Sequence, residues 1–249
     1  MADLPASVRV ALWSTAALSG ALDVDAVPRR AMPDLDHVDG LVAQLGLWRD
    51  LGERLVLVAL PRSGDLRSMP RGPADLIAAA TEAEELVYVT GLGGALVPQI
   101  QTFGPEGDQG WEAQWTAFDS DPVPQHVVQQ LSLPDAELEL RRGVAALTQQ
   151  LADAPGQPLS GHGLEAVVRG SVDEVWGLPE GLPPRAIRVI ELAGAITNLA
   201  GAGLDHRLHS VDSNSTLQRE RILRELHDVS TQALVAATNV GALYLAGWR

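Results

Sequence analysis

The sequence predicts an α+β protein: a small, mainly antiparallel four-stranded sheet with helices, followed by a C-terminal helical bundle. Three observations carry this. Residues 86–121 hold five of the ten aromatic residues (Tyr88, Phe103, Trp111, Trp115 and Phe118) in three runs separated by glycine-rich turns, the pattern of a β-meander. Residues 54–60 (RLVLVAL) are continuously β-branched or leucine, as in a strand buried on both faces. Beyond Asp121-Pro122-Val123-Pro124 the apolar residues recur at three and four, the helical period.

Taken in order, residues 6–19 place Val8, Leu12 and Ala16 at helical spacing beside Val10, Trp13 and Ala17, and stop at Gly20. This predicts a helix with a broad apolar face. A short helical turn is expected around residues 23–30. Asp36 is placed to cap a helix running to about Leu51, with Val38, Leu41, Leu45 and Trp48 as its buried stripe. After the strand at 54–60, the loop PRSGDLRSMPRGP breaks the chain with its prolines and glycines. Residues 74–81 are expected as a helix and 86–89 as a strand. Strand, helix and strand over this length fit one crossover unit.

Gly91-Leu92-Gly93-Gly94 turns the chain back, with glycine supplying the positive φ a tight hairpin needs. Pro98 has no amide N–H, so its strand is expected at a sheet edge or bulged. In the third run Trp111, Ala113, Trp115 and Ala117 share one face, and Glu112, Gln114, Thr116 and Phe118 share the other. One side of this sheet therefore meets water or a partner.

The prolines at 122 and 124 divide an α+β region (1–122) from a helical bundle (123–249), as two domains or around one shared core. Pro134 opens a helix to about Ala152, with Leu138, Val144, Leu147 and Leu151 near its buried side. Residues 153–163 read as a linker and 164–176 as a helix. Pro184 opens a long helix as a first-turn residue. Val189, Ala193, Ile196, Ala200 and Gly203 in that helix form one half of a seam. Ile222, Leu226, Val229, Ala233, Ala236, Val240 and Leu243 in residues 215–247 form the other half, behind a Ser215–Gln218 capping box. Small residues along the seam predict an antiparallel helical hairpin. The uncharged stretch 233–248 is short of the roughly 20 apolar residues of a membrane span and reads as core.

Composition restricts the partners. The 249 residues carry a net charge of −14, all eighteen basic residues are arginine, and cysteine is absent. Absent cysteine excludes disulfides, zinc ribbons and thiol nucleophiles. The acidic balance argues against nucleic acid and anionic membranes, both of which need a basic footprint. With Asp3 and no basic cluster before an apolar run, the N-terminus does not read as a signal peptide, and a cytoplasmic protein is expected. The surplus is concentrated: residues 72–140 hold twelve acids and no arginine. Such a segment is either a solvated surface or a face that attracts a cation or a basic partner.

No complete catalytic, metal or cofactor motif emerges. The glycine cluster follows a strand, but a dinucleotide fingerprint needs a glycine where Leu96 stands, and no lysine completes a phosphate loop. His206 and His209, with Asp205 and Asp212, are the nearest approach to a metal cluster, without a matching motif on another helix. Glu106, Asp108, Asp119 and Asp121 border the meander without calcium-loop spacing. Arg62, Ser63 and Asp65 directly follow the buried strand, where loops line binding crevices and an arginine holds a carboxylate or phosphate. The same PRSGD is a good surface turn.

The stretches VALWSTAALSG, LVLVALP, GGALVPQIQTFGPEGDQGW, WGLPEGLPPRA and the terminal ATNV with AGW resemble an uncharacterised actinobacterial family. The likeness covers most of the chain and carries over no catalytic residue. The expected function is thus a cytoplasmic, non-enzymatic interaction or regulatory protein acting through its acidic sheet region. Its expected partner is another protein, with a homo-oligomer as a further expectation. Neither cofactor nor metal is expected. The alternative is a small-molecule or metal-dependent enzyme with a site between sheet and bundle, near Arg62 or His206. Trp111 and Trp115 are the candidate contact residues of the first reading.

Overall fold

Five strands form one sheet in the order β1-β5-β4-β3-β2: β1 (His37–Asp39), β2 (Val56–Ala59), β3 (Leu86–Val89), β4 (Ala95–Phe103) and β5 (Gly110–Phe118). A computed structural model describes residues 4–105, 107–153, 177–205 and 213–248. By contacts the chain divides into two units. One comprises residues 5–131, 177–183 and 238–249; the other comprises 1–4, 132–176 and 184–237.

The sheet is five-stranded and mixed, which corrects the four-stranded antiparallel expectation. The additional strand is β1, parallel to β5 with His37 opposite Glu112 and Asp39 opposite Gln114. It exists because Asp36 pairs with a strand instead of capping a helix. The Trp111 N–H donates to Asp36 Oδ2 at 2.9 Å, and the Asp36 N–H donates to the Trp111 carbonyl at 2.9 Å. Val38 is thereby drawn into the ladder. Gly40, at φ +81°, then redirects the chain into a helix from Leu41 to Asp50. A Cβ at Gly40 would stand 2.1 Å from the Trp115 carbonyl oxygen, so no side chain fits. Leu41, Leu45 and Trp48 are its buried stripe, as the sequence predicts.

β2 and β3 are antiparallel, with Val56 opposite Val89 and Ala59 opposite Leu86, so the expected crossover unit is absent. The loop after β2 is the reason. It runs the length of the sheet before its helix starts, and the Asp121 N–H fixes its end by donating to the Arg71 carbonyl at 2.7 Å. The helix Ala74–Ala83 then crosses back, which leaves β3 running against β2. The Gly91–Gly94 hairpin forms as expected: the Val89 N–H reaches the Gly94 carbonyl at 3.0 Å, and Gly93 and Gly94 have positive φ. A buried carboxylate organises this turn, since Glu53 accepts the Leu92 N–H and occupies the space a Gly91 side chain would need.

Numbered in chain order, the helices of this unit are α1 (Ala6–Leu18), α2 (Val27–Ala31), α3 (Leu41–Asp50), α4 (Ala74–Ala83) and α5 (Gln125–Gln129). In α1 eleven of thirteen residues are buried, the pattern of a core helix. Helical side chains also seal the outer edge of β2. Thr15 Oγ1 bonds both the N–H and the carbonyl of Val56 at 3.0 Å. Asn239, near the end of the last helix, accepts the Val58 N–H at 2.8 Å and donates to the Val58 carbonyl at 3.0 Å. A sheet edge that would be buried and unpaired is thus satisfied by two side chains that imitate a neighbouring strand.

Among the described residues the other unit is helical, with α6 (Leu133–Asp153), α7 (Pro184–Asp205) and the first part of α8 (Ser213–Leu245). Leu147, Ala200, Ile222 and Leu226 form its core, with Val144 and Ile196 packed against them. On α6, Leu140 is buried and Leu138 is exposed, which shifts the expected stripe. The α7–α8 seam is antiparallel. Gly203 lies against Leu223, Gly201 against His227, and Thr197 donates to Ser230 Oγ at 2.9 Å, so contacts descend one helix while ascending the other. Because α8 begins at Ser213, Ser215 lies inside its first turn and not ahead of it, as a capping box would require. Within α7, Pro184–Leu204 is long and apolar enough to cross a membrane by length and composition, and 39% of that window is buried. The helix expected at 164–176 lies outside the described residues.

Candidate functional site

Arg62, Ser63 and Asp65 form a closed two-residue hairpin. Arg62 and Asp65 exchange N–H···O bonds at 2.9 Å, and Gly64 between them has φ +90°. Their charges are engaged locally. Arg62 lies 3.7 Å from Glu84, and Asp65 accepts two bonds from the Arg67 guanidinium at 2.8 and 2.6 Å. The Arg67 side-chain bond holds the Asp65 carboxyl below its ordinary range. This loop has a structural use for each of its charges.

Trp111 and Trp115 share a face of β5 but not an environment. Trp111 is 49% exposed near the tip of the β4–β5 hairpin, whereas Trp115 is 2% exposed, with its indole N–H making no hydrogen bond. They do not make one exposed aromatic patch. His206 and His209 lie outside the described residues. Among the described residues no group of three His, Cys, Asp or Glu side chains could hold a metal ion.

The structure adds a site the sequence did not single out, a groove of about 500 Å³ where α4 overlies the face of β4 and β5. Ala79, Glu82 and Ala83 form one wall, sharing a side of α4 at the i, i+3 and i+4 spacing. Val97, Thr116 and Phe118 project from the strands as the floor and Gln99 continues it on the same face, while Pro98 and Ile100, of the opposite face, line the groove along the edge of β4. Glu85, just before β3, closes one end. Its Oε2 accepts the Ser7 N–H of the first turn of α1 at 2.7 Å. Burial pushes the Glu85 carboxyl up, against the Ser7 N–H, which favours the anion. Glu82 is exposed. Both charged groups in the groove are therefore acids, one free to meet a cation in solvent and one fixed against a helix N-terminus. The sequence signal was faint: Pro98 within a strand, and two acids three apart at a helix end.

The Rv1486c-like protein N-terminal domain matches residues 7–130, and the Rv1486c-like protein C-terminal domain matches residues 134–235. The chain belongs to the Rv1486c-like family. The gap between the two family domains, residues 131–133, contains one of the points where the contacts divide the chain, although residues 177–183 of the second family domain group by contacts with the sheet unit. The groove lies wholly within the Rv1486c-like N-terminal domain. Neither a curated protein nor a solved structure matches the chain.

Proposed function

We propose that this Rv1486c-like chain is a cytoplasmic, non-enzymatic interaction or regulatory protein whose acidic sheet region holds a basic segment of a protein partner. The groove under α4 carries this reading. Its partly exposed Phe118 offers apolar contact, and its two charged side chains, Glu82 and Glu85, have one sign. It belongs to the stretch 72–140 that contains no arginine, so no basic residue of that stretch competes for Glu82, while Arg9 of α1 acts on Glu85. Complementary charge of this kind contributes chiefly to partner choice and association rate. The enzyme alternative gains no support from Arg62, which pairs with Glu84.

The test is capture from native lysate by the wild type and by Glu82→Arg, with mass spectrometry of both eluates. The reading expects a basic protein retained by the wild type and lost by the variant. Identical captured sets contradict it.

A further inference from the structure

β4 is nine residues long, but β3 pairs only with its first two, Ala95 and Leu96. From Val97 to Phe103, β4 has β5 on one side and, among the described residues, no strand on the other. Register fixes which groups face outward. The Trp111 N–H and carbonyl point to Asp36, so by alternation Glu112, Gln114 and Thr116 point to β4. Their partners Gln101, Gln99 and Val97 point back, which leaves Pro98, Ile100 and Thr102 turned to the open side. Proline at the first of these positions has no N–H to lose. Pro98 is buried, whereas Ile100 and Thr102 are exposed and present two N–H groups and two carbonyls. The same stretch of strand borders the acidic groove.

An open edge is a template for another strand, and proteins with a use for none cover or charge it. This chain covers β2 with Thr15 and Asn239, and β1 is only three residues long. At β4 it leaves an exposed edge of four residues, Gln99 to Thr102, beside two carboxylates. A second copy is a poor occupant, because edge-to-edge pairing would bring Glu82 and Glu85 of both chains together on molecules of net charge −14. A basic strand has the opposite sign. We propose that residues 99–102 of β4 accept an extended segment of the partner protein as an added strand, with basic side chains at alternate positions over Glu82 and Glu85. This rests on the reading that the acidic sheet region is the interaction surface. Main-chain bonds would supply affinity and the groove side-chain preference, as in other strand additions.

The probe is a library of random nine-residue peptides displayed against the full chain. The selected peptides are expected to carry Arg or Lys at alternate positions and to lose at least about tenfold in affinity to Glu82→Arg. In the complex, the Ile100 and Thr102 amides should gain at least about tenfold protection from hydrogen exchange. N-methylation of alternate peptide amides should abolish binding without changing peptide charge. Selected basic peptides that bind through Glu82, tolerate N-methylation in both registers and leave Ile100 and Thr102 unprotected overturn strand addition while sparing the acidic surface. A library that yields no basic binder overturns both.

Discussion

Glu84 ends α4 in the left-handed region at φ +57°, the one residue other than glycine to do so among the described residues. An L side chain in that region costs about 1–2 kcal/mol, and its exposed ion pair with Arg62 returns about 0–1 kcal/mol. Glu84→Gly should therefore leave stability unchanged or raise it by up to about 2 kcal/mol, while β-branched Glu84→Val should lower it by about 1–2 kcal/mol. Urea unfolding of the two variants checks the order. The next residue titrates in the opposite sense from a paired carboxylate. Burial raises the folded Glu85 pKa above its unfolded value, so the stability linked to this group is present at low pH and lost as pH rises through the folded value. Glutamine keeps an oxygen for the Ser7 N–H and removes the charge. Glu85→Gln should stabilise the protein at pH 8, and the gain should shrink as pH falls toward 5. A gain that is absent or constant over that range contradicts burial as the cause.

Among the elements, β2 shows how side chains replace a strand. Replacing Asn239 by leucine strands the Val58 N–H and carbonyl in the core, and each buried unpaired group costs about 1–3 kcal/mol. Thr15→Val does the same at Val56. Each variant should lower the urea midpoint by the equivalent of about 2–6 kcal/mol with the m-value unchanged. A loss under about 0.5 kcal/mol would show that water reaches this edge. The meander itself was legible in the sequence, because Gly93 and Gly94 announce the turn and Trp111 to Phe118 alternate in polarity. β1 was not, because a three-residue strand carries too short a pattern, and Asp36 reads equally as a cap or as a partner for the Trp111 backbone. The direction of β3 was hidden for another reason. The length of the loop at 61–73 does not say whether it closes locally or crosses the sheet.

For the whole molecule, charge was the legible property. At −14, the chain should not bind random-sequence duplex DNA at physiological salt, and fluorescence anisotropy showing sub-micromolar affinity would contradict that. Where that charge meets a usable surface was not legible, since Glu82 and Glu85 join Val97 and Phe118 only through the packing of α4 on the sheet. The open edge was hidden likewise. Pro98 hints at it, but the edge itself depends on where β3 stops. Two outward backbone rows thus differ in kind, one sealed by helical side chains and one open beside an acidic groove. Hydrogen exchange of the free full-length protein, read amide by amide, tests this most directly. The structure predicts slow exchange at Val56 and Val58 and exchange at least about a hundredfold faster at Ile100 and Thr102. Equal protection of all four, or protection of Ile100 and Thr102 alone, would show that the edge of β4 is already filled.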